Sequence, residues 1–213
     1  FLCAAARVDY LEIIRTLAPV ITAAIAFAAL RNWQRQDKAK REAEFLDSLI
    51  DATHTYVAEM PKPMTLFQFA KIGMESHAPT WESGEPREIE VKGAITYIQK
   101  NGKDEAKRLF EVLEIMQPPV IRLRSLVAKG QVFSFSGYAK CQKAVAMLTW
   151  QFDRLEAFAG FIGSPNAIWE HPLVRKLLED FMAMDPVDIN KTIHDSNVAI
   201  LEFCGETYKK IYG

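Results

Sequence analysis

Two carboxylates and a histidine share one face of a predicted helix in the first third of the sequence. Asp47, Asp51 and His54 lie at positions i, i+4 and i+7, so a helix would project all three to the same side. Carboxylate and imidazole groups bind divalent metals and transfer protons. No second histidine and no E-x-x-H pair accompanies them. We interpret them as the solvated side of an amphipathic helix, and a nonstandard enzyme site around Asp51 and His54 is an alternative.

Other residues of catalytic type lack the neighbours that catalysis needs. The adjacent pairs Glu170–His171 and His194–Asp195 would point in different directions along a helix, so neither makes an acid–base couple by itself. Ser134 and Ser136 lack the leading glycine of a nucleophile elbow, and S-x-x-K, G-x-x-x-x-G-K-[ST] and G-x-G-x-x-G patterns do not occur. We predict no catalytic, cofactor-binding or metal-binding residue and favour a non-catalytic protein over an enzyme.

Aromatic residues of the C-terminal half could line an apolar pocket. Several of them recur at helical spacing among alanine and leucine, which favours packing in a core over a ligand site. The residues concerned are Phe133, Phe135, Tyr138, Trp150, Phe152, Phe158, Phe161 and Trp169.

Composition narrows the class of protein. The 213 residues carry a formal charge of −1, so no overall positive field recruits nucleic acid, and we predict no nucleic-acid partner. Cys3, Cys141 and Cys204 contain no C-x-x-C pair, which excludes a disulfide framework and a zinc ribbon. Hydrophobic residues make up 49% of the sequence, glycine and proline number ten each, and long β-branched runs are absent. An all-α fold is expected.

The elements that would position these residues start with an apolar N-terminal helix. Thr16 to Leu30 contains fifteen residues without a charge, and extension back to Tyr10 adds only Glu12 and Arg15 as charged residues. The uncharged stretch would cover roughly 22 Å of helix against a hydrocarbon core of about 30 Å. Glu12 and Arg15 would pair near one interface, where arginine can snorkel toward headgroups. We predict a single transmembrane helix over residues 10–31.

A basic flank follows this stretch. Residues 31–41 contain five positive charges against one negative charge, with a tryptophan at the height of the interface. Lysine and arginine are enriched on cytoplasmic flanks, so the C-terminal region is predicted to be cytoplasmic. The predicted membrane-interface residues are Arg31, Trp33, Arg35, Lys38, Lys40 and Arg41.

Alternative interpretations of the N-terminal helix remain. A cleaved signal peptide could use Ala24-Ile-Ala26 or Ala26-Phe-Ala28, but the basic block that follows opposes translocation. The helix could instead be buried in the core of a soluble protein, which its shortness and Pro19 favour. If it spans a membrane, the small residues Ala18, Thr22 and Ala26 could let two helices approach closely. Val8 could mark a GTG start codon.

The remaining sequence predicts helices separated by short breaks. Helical spacing covers residues 35–60, 64–76, 88–100, 104–117, 120–129, 138–161, 172–184 and 187–211. Proline or glycine interrupts them, at Asn101-Gly102 and Pro118-Pro119 among other places. Only Gly130–Gly137 alternates like a strand. If the membrane helix continues into the next one, the two form one rod of roughly 50 residues, or about 75 Å.

These patterns divide the chain into four regions. They are a short N-terminal segment over 1–9, the transmembrane helix over 10–31, a basic collar with an amphipathic juxtamembrane helix over 32–60, and a cytoplasmic helical bundle over 61–213. The fold class is therefore all-α, with one N-terminal transmembrane helix that continues into an irregular cytoplasmic helical bundle.

The juxtamembrane sequence carries a family resemblance. The run from Leu30 to Gln36, followed by Lys38 to Asp47, resembles a loosely defined group of proteobacterial proteins with one N-terminal membrane helix and a cytoplasmic helical region. The resemblance covers about the first 60 residues and implies the bacterial inner membrane as the location. It implies no activity and no catalytic residue.

These inferences predict a membrane-anchored, non-catalytic protein-interaction module with a lipid bilayer and another protein, or a second copy of itself, as partners. One alternative is an oligomerising membrane effector in stress or phage defence. The other is an enzyme with a nonstandard site.

Overall fold

The all-α prediction is confirmed. A computed structural model describes the backbone of residues 10–79 and 84–213, and in the first helix it describes the side chains of Arg15 and of residues from 17 onward. The described part forms seven α-helices and no strand. The predicted segment over 1–9, with Cys3 and Val8, lies outside the described residues. The helices are α1 (Tyr10–Glu59), α2 (Pro61–Ser76), α3 (Pro86–Tyr97), α4 (Lys103–Gly130), α5 (Tyr138–Ile162), α6 (Pro172–Met182) and α7 (Pro186–Tyr212).

The first helix is continuous through the predicted boundary between anchor and collar. α1 contains 50 residues, with Pro19 inside it, and its length is roughly 75 Å. The expected single rod is therefore confirmed as a helix. Pro61, which was expected to end it, does so: Pro61 and Pro63 occupy the first turn of α2, where the missing N–H groups cost no helical hydrogen bond.

Two predicted breaks are wrong. Asn101 and Gly102 lie in a π-helical turn (Ile98–Gly102) that joins α3 to α4. Pro118 and Pro119 lie inside α4. These prolines remove the hydrogen bonds to the carbonyls of the residues four positions earlier, and both of those residues are exposed, so water can satisfy the carbonyls. The interruption between α4 and α5 is confirmed, and its strand-like residues form a 3₁₀ turn (Gln131–Phe133) and a loop.

Four long helices build the main core. α1 packs on α4 and α7, and α5 packs on the same two helices from the opposite side. Tyr56 of α1 donates to the carbonyl of Leu148 in α5, and Tyr208 of α7 donates to the carbonyl of Ala43 in α1 at 3.3 Å. Gly102, just before α4, faces Ile162 at the end of α5, and Gly130 at the end of α4 faces Tyr138 at the start of α5. Phe203 near the end of α7 also meets Tyr138. α1 and α5 therefore run in one direction, and α4 and α7 run in the other. The bundle therefore has a proximal end, where α1 enters it near Ala43, and a distal end, where α1 leaves it.

The short helices cover the distal end. α2 packs on α3 and α4, and Arg175 of α6 pairs with Glu88 of α3. The rings of Phe67 and Phe158 meet edge to face with centroids 4.8 Å apart, so α2 also closes over the end of α5. Such aromatic pairs add about 0.5–1.5 kcal/mol beyond their buried area.

An aromatic cluster closes the proximal end. The ring of Phe45 in α1 stacks on Phe135 of the α4–α5 turn and meets Phe133 at a tilt, with centroids 5.5 and 5.2 Å away. Phe135 also meets Phe203 of α7 at 5.9 Å. The hydroxyl of Tyr138 donates to the carbonyl of Val127 at 2.8 Å. We call these rings the proximal aromatic cluster. They hold α1, α7 and the α4–α5 turn together at one end of the molecule.

Glycine at position 130 allows this cluster to close. A Cβ atom at Gly130 would lie 1.9 Å from the Tyr138 hydroxyl and 2.6 Å from the Phe45 ring. We expect Gly130→Ala to lower the free energy of unfolding by about 1–3 kcal/mol, the usual cost of overpacking. Chemical denaturation followed by circular dichroism measures it.

The matched control is a glycine inside α7. Gly205 of α7 has open space around the position of an added Cβ, so Gly205→Ala should raise the free energy of unfolding by about 0.5–1 kcal/mol. If both variants were equally stable, the close approach at Gly130 would not matter to the fold.

Candidate functional site

The N-terminal part of α1 projects from the bundle. Every described side chain from Leu17 to Gln36 is exposed. The six large apolar residues of this stretch are between 50% and 66% exposed, and Trp33 is 62% exposed. We call residues 17–36 the projecting segment. The alternative of a helix buried in the protein's own core is therefore wrong for these residues. The large apolar residues are Leu17, Val20, Ile21, Ile25, Phe27 and Leu30.

The transmembrane part of the fold prediction is not supported. Within the described part of the chain, no helix combines enough length with enough apolar character to cross a membrane. The physical reason lies in the sequence around the uncharged stretch: Arg15 and Arg31 bracket it, and the stretch is shorter than the roughly 20 residues that a span usually needs.

The basic collar is more neutral than its sequence predicts. Each of its last three cations pairs with a carboxylate one helical turn away: Lys38 with Glu42 at 3.7 Å, Lys40 with Glu44 at 3.8 Å and Arg41 with Asp37 at 2.6 Å. Exposed pairs of this kind contribute about 0.3–0.5 kcal/mol on a helix.

The first two cations of the collar remain unpaired. Neither Arg31 nor Arg35 has an ion-pair partner among the residues that the structure describes. Both are exposed and flank Trp33. The net positive charge of the collar therefore lies at its N-terminal end, next to the apolar part of the projecting segment.

All three residues of the candidate metal face are exposed. Asp47 also accepts a hydrogen bond from the hydroxyl of Tyr208. No group of three or more potential metal ligands occurs in the described ranges. The interpretation of this face as solvated is confirmed, and Asp47 has a structural role that the sequence did not reveal.

The other polar candidates have structural or surface positions. Nδ1 of His171 accepts from the backbone N–H of Leu173 at 3.2 Å and so caps α6. Asp195 pairs with Lys191 at 3.5 Å on the exposed side of α7. Ser134 has the left-handed backbone conformation of a turn, with φ of 54°.

The aromatic candidates pack in the core, as their spacing favoured, with one exception. Phe152, Phe158 and Trp169 are buried, and Phe133 and Phe135 belong to the proximal aromatic cluster. Trp150 is the exception, since it is 49% exposed. The guanidinium carbon of Arg154 lies over this ring, 4.7 Å from its centroid. Such a cation–π contact is worth about 0.5–1 kcal/mol at an exposed site.

The two described cysteines are unsuited to nucleophilic chemistry. Cys141 and Cys204 are buried free thiols. Burial raises the pKa of each to about 12, so both are protonated at neutral pH and the reactive thiolate is scarce. Their role is packing between α5 and α7.

A cavity of about 450 Å³ lies between α2, α3 and α6, and its central residue was missed by the sequence analysis. Lys71 is buried there, on the face of α2 that also buries Phe67 and Met74. That spacing was the available signal, because a lysine among apolar residues at i−4 and i+3 must find a buried partner. The charged side chains of the lining are Lys71, Glu75, Arg87, Glu90 and Glu179.

Lys71 closes the end of α6. Its ammonium donates to the carbonyls of Met182 and Met184, both at 2.6 Å, and lies 3.9 Å from a carboxylate oxygen of Glu75. Burial lowers its pKa, which is a property of some catalytic lysines. Two of its three hydrogens are donated to main-chain oxygens, however, and a cation at a helix C-terminus is favourable. The geometry supports a structural clamp between α2 and α6.

Comparisons of the chain with models of protein families, with curated proteins and with solved structures give no match. The resemblance of the juxtamembrane sequence to a proteobacterial group therefore stays a prediction.

The clamp can be tested by removing the charge at constant size. We expect Lys71→Met to lower the free energy of unfolding by about 2 kcal/mol, because two buried carbonyls lose their donor. Thermal and urea denaturation measure the effect. The control Lys176→Met changes an exposed residue of α6 and should stay within about 0.5 kcal/mol of the unchanged protein. Full stability of Lys71→Met would contradict the clamp and favour a reactive role for this lysine.

Proposed function

We propose that this protein is a membrane-anchored, non-catalytic interaction module. In this proposal the projecting segment inserts into the bacterial inner membrane as a single pass, and the bundle lies on the cytoplasmic side and binds another protein or a second copy of itself. The observation that carries the proposal is the projecting segment, an apolar helical stretch that the protein leaves exposed on every side.

Exposed apolar area supports insertion. Burial of one large aliphatic or aromatic side chain is worth roughly 1.5–3 kcal/mol, and the segment exposes six of them. They are spread over more than half of the helix circumference instead of forming the narrow stripe of a two-stranded coiled coil. A helix that is apolar all round needs an apolar environment all round, which a bilayer supplies.

The charged ends can accommodate the short apolar length. Arg15 and Arg31 stand at opposite ends of the uncharged stretch, and long basic side chains can extend toward headgroups while their stems stay in the apolar layer. Local thinning of the bilayer costs fractions of a kcal/mol per Å of mismatch. Arg31, Trp33 and Arg35 then lie at the cytoplasmic interface, where tryptophan and basic residues are favoured.

The bundle supplies the surface for the protein partner. Phe69 and Ile72 on α2 are 62% and 51% exposed and one helical turn apart, and Leu173 and Leu177 on α6 are 71% and 44% exposed. Both pairs lie on short helices at the distal end, away from the projecting segment. In the proposal these helices face the cytoplasm and are accessible to a partner.

A second candidate is the oligomerising membrane effector. Ala18, Thr22 and Ala26 form a row of small residues on the projecting segment, and the Thr22 hydroxyl donates to the carbonyl of Ala18 at 2.8 Å. The row therefore presents little bulk and no free hydroxyl hydrogen, which suits close packing of two helices in a bilayer. Overexpression without a fall in membrane potential would remove support for this candidate.

The anchor is tested by adding charge to the projecting segment. We expect the chain to stay in the membrane pellet after an alkaline carbonate wash and the double variant Ile21→Arg/Ile25→Arg to move to the supernatant. Each arginine at the centre of a span costs about 2.5–3.5 kcal/mol. Ile21 and Ile25 are 55% and 64% exposed and touch no part of the core, so the bundle should keep its melting temperature.

The control changes the same residue type on the bundle. Ile168 is 70% exposed, so Ile168→Arg adds charge without reaching the projecting segment and should leave the chain in the pellet. Release of the unchanged protein by carbonate would contradict the anchor, and retention of the double variant would show that other residues hold the chain at the membrane.

A further inference from the structure

We infer that the proximal end of the bundle is a second lipid-binding surface, which docks on anionic headgroups beside the anchor. This inference rests on the proposed function, because the anchor is what brings this end of the bundle to the bilayer. The surface combines three parts of the chain that are distant in sequence: residues 31–45 of α1, 129–143 around the α4–α5 turn, and 204–213 at the end of α7.

Packing brings these three parts together. Phe45 of α1 lies 5.2 Å from Phe133 of the turn, and Phe135 of the turn lies 5.9 Å from Phe203 of α7, as ring centroids. Residues Arg35 to Asp47 of α1 also form one groove with Ile211 and Tyr212 of α7. The end of α7 therefore lies level with the collar.

Positive charge is concentrated on this end. The three parts contain ten lysines and arginines and four acidic residues, whereas the whole chain contains 26 and 27. The remainder of the chain thus has 16 basic and 23 acidic residues. A net charge of +6 at one end and −7 elsewhere is hidden in the overall charge of −1. Such an asymmetry orients a molecule against an anionic surface.

The turn supplies cations that no carboxylate neutralises. No acidic residue occurs between Glu114 and Asp153, and Lys129, Lys140 and Lys143 are exposed. Among the described residues none of these three lysines has an ion-pair partner, and the same holds for Lys209 and Lys210 at the end of α7. They are free to meet external phosphates, unlike the paired cations Lys38, Lys40 and Arg41.

An apolar residue stands at the tip of the same turn. Val132 is 83% exposed and directly precedes Phe133 of the proximal aromatic cluster. The turn reverses through Ser134 and Gly137, whose φ angles of 54° and 78° are left-handed, so its shape is set by local backbone geometry and by the rings behind it. An apolar tip flanked by free lysines is suited to the boundary between headgroups and acyl chains.

Distance along α1 places this surface within reach of the bilayer. From Leu30, the last residue of the apolar stretch, to Ala43, where α1 enters the bundle, is 13 residues, or about 20 Å of helix. The end of α7 lies closer to the apolar stretch, because Tyr212 lines a groove with Arg35. The headgroup layer is about 5–8 Å thick on each side, and the electrostatic screening length is about 8 Å at physiological ionic strength. Tilt of the helix by about 20°, the average for membrane helices, lowers one side of the bundle further.

Continuity with the anchor selects lipid over other anionic partners. An acidic protein or a nucleic acid could pair with the same lysines. Only the bilayer, however, is kept next to these lysines by α1, because in the proposal α1 is inserted in it. Each lysine near an anionic leaflet contributes about 1 kcal/mol, or about fivefold in partition.

The test uses the full chain reconstituted in vesicles, with a photocrosslinking amino acid in place of Val132. Vesicles of phosphatidylcholine alone are compared with vesicles that also contain phosphatidylglycerol. We expect a phospholipid adduct at position 132 only with phosphatidylglycerol, and its yield should fall as salt is added. The position control is Leu173, which is 71% exposed at the distal end and should give no adduct.

Variants that remove positive charge test whether these lysines bind the anionic lipid. Lys129→Gln/Lys140→Gln/Lys143→Gln should lower the adduct yield at position 132 by about tenfold or more. The matched control Lys100→Gln/Lys107→Gln/Lys176→Gln removes the same charge from exposed distal positions and should leave the yield unchanged.

Flotation of the vesicles separates the two proposals. If the chain floats with both kinds of vesicle and position 132 gives no adduct, the docking surface is overturned and the anchor stands. If the chain floats only with phosphatidylglycerol, in a salt-sensitive way, the docking surface is supported without an anchor. An equal adduct in both lipids, or one that the lysine variant keeps, would overturn the inference.

Discussion

The structure depends on a single helix that must satisfy two different surroundings. The C-terminal half of α1 buries Leu46, Leu49 and Tyr56 completely in the bundle, whereas residues 17–36 contact none of the core. Because no break separates the halves, the direction of the projecting segment is fixed by the packing of the buried half. Whatever binds the projecting segment therefore also sets the orientation of the bundle.

The proximal aromatic cluster fixes the direction of the projecting segment relative to the bundle. Phe45 is the first large ring that α1 buries, and it is contacted by the α4–α5 turn, while Phe135 and Tyr138 of the same region also contact Phe203 of α7. The hydroxyl of Tyr208, which contacts Asp47 and the carbonyl of Ala43, adds polar contacts on both sides of Phe45 along α1. The point at which α1 leaves the bundle is thus held from two sides, which reduces bending there.

Much of the fold could be predicted from hydrophobic spacing, because that spacing reports which face of each helix is buried. The bounds of α2, α5, α6 and α7 differ from the predicted ranges by a few residues at most. Proline and glycine give a wrong helix boundary where tertiary packing outweighs their local effect. Pro119 is buried inside α4, and the π-helical turn at Asn101 and Gly102 keeps α3 and α4 in register with the distal core. Lys71 was missed because its partners are carbonyls of a helix more than 100 residues away.

The electrostatics of the candidate surface could be predicted least, since they depend on which charges cancel. In the sequence, Lys38, Lys40 and Arg41 form the most conspicuous basic run, yet a helix places a carboxylate one turn from each of them. The turn between α4 and α5 looks unremarkable in sequence because its lysines are spaced apart. Folding removes the field of the first group and brings the second group to the same end of the bundle. A count of charges along the chain therefore does not tell which cations stay unpaired, because the pairing pattern of the folded helices decides this.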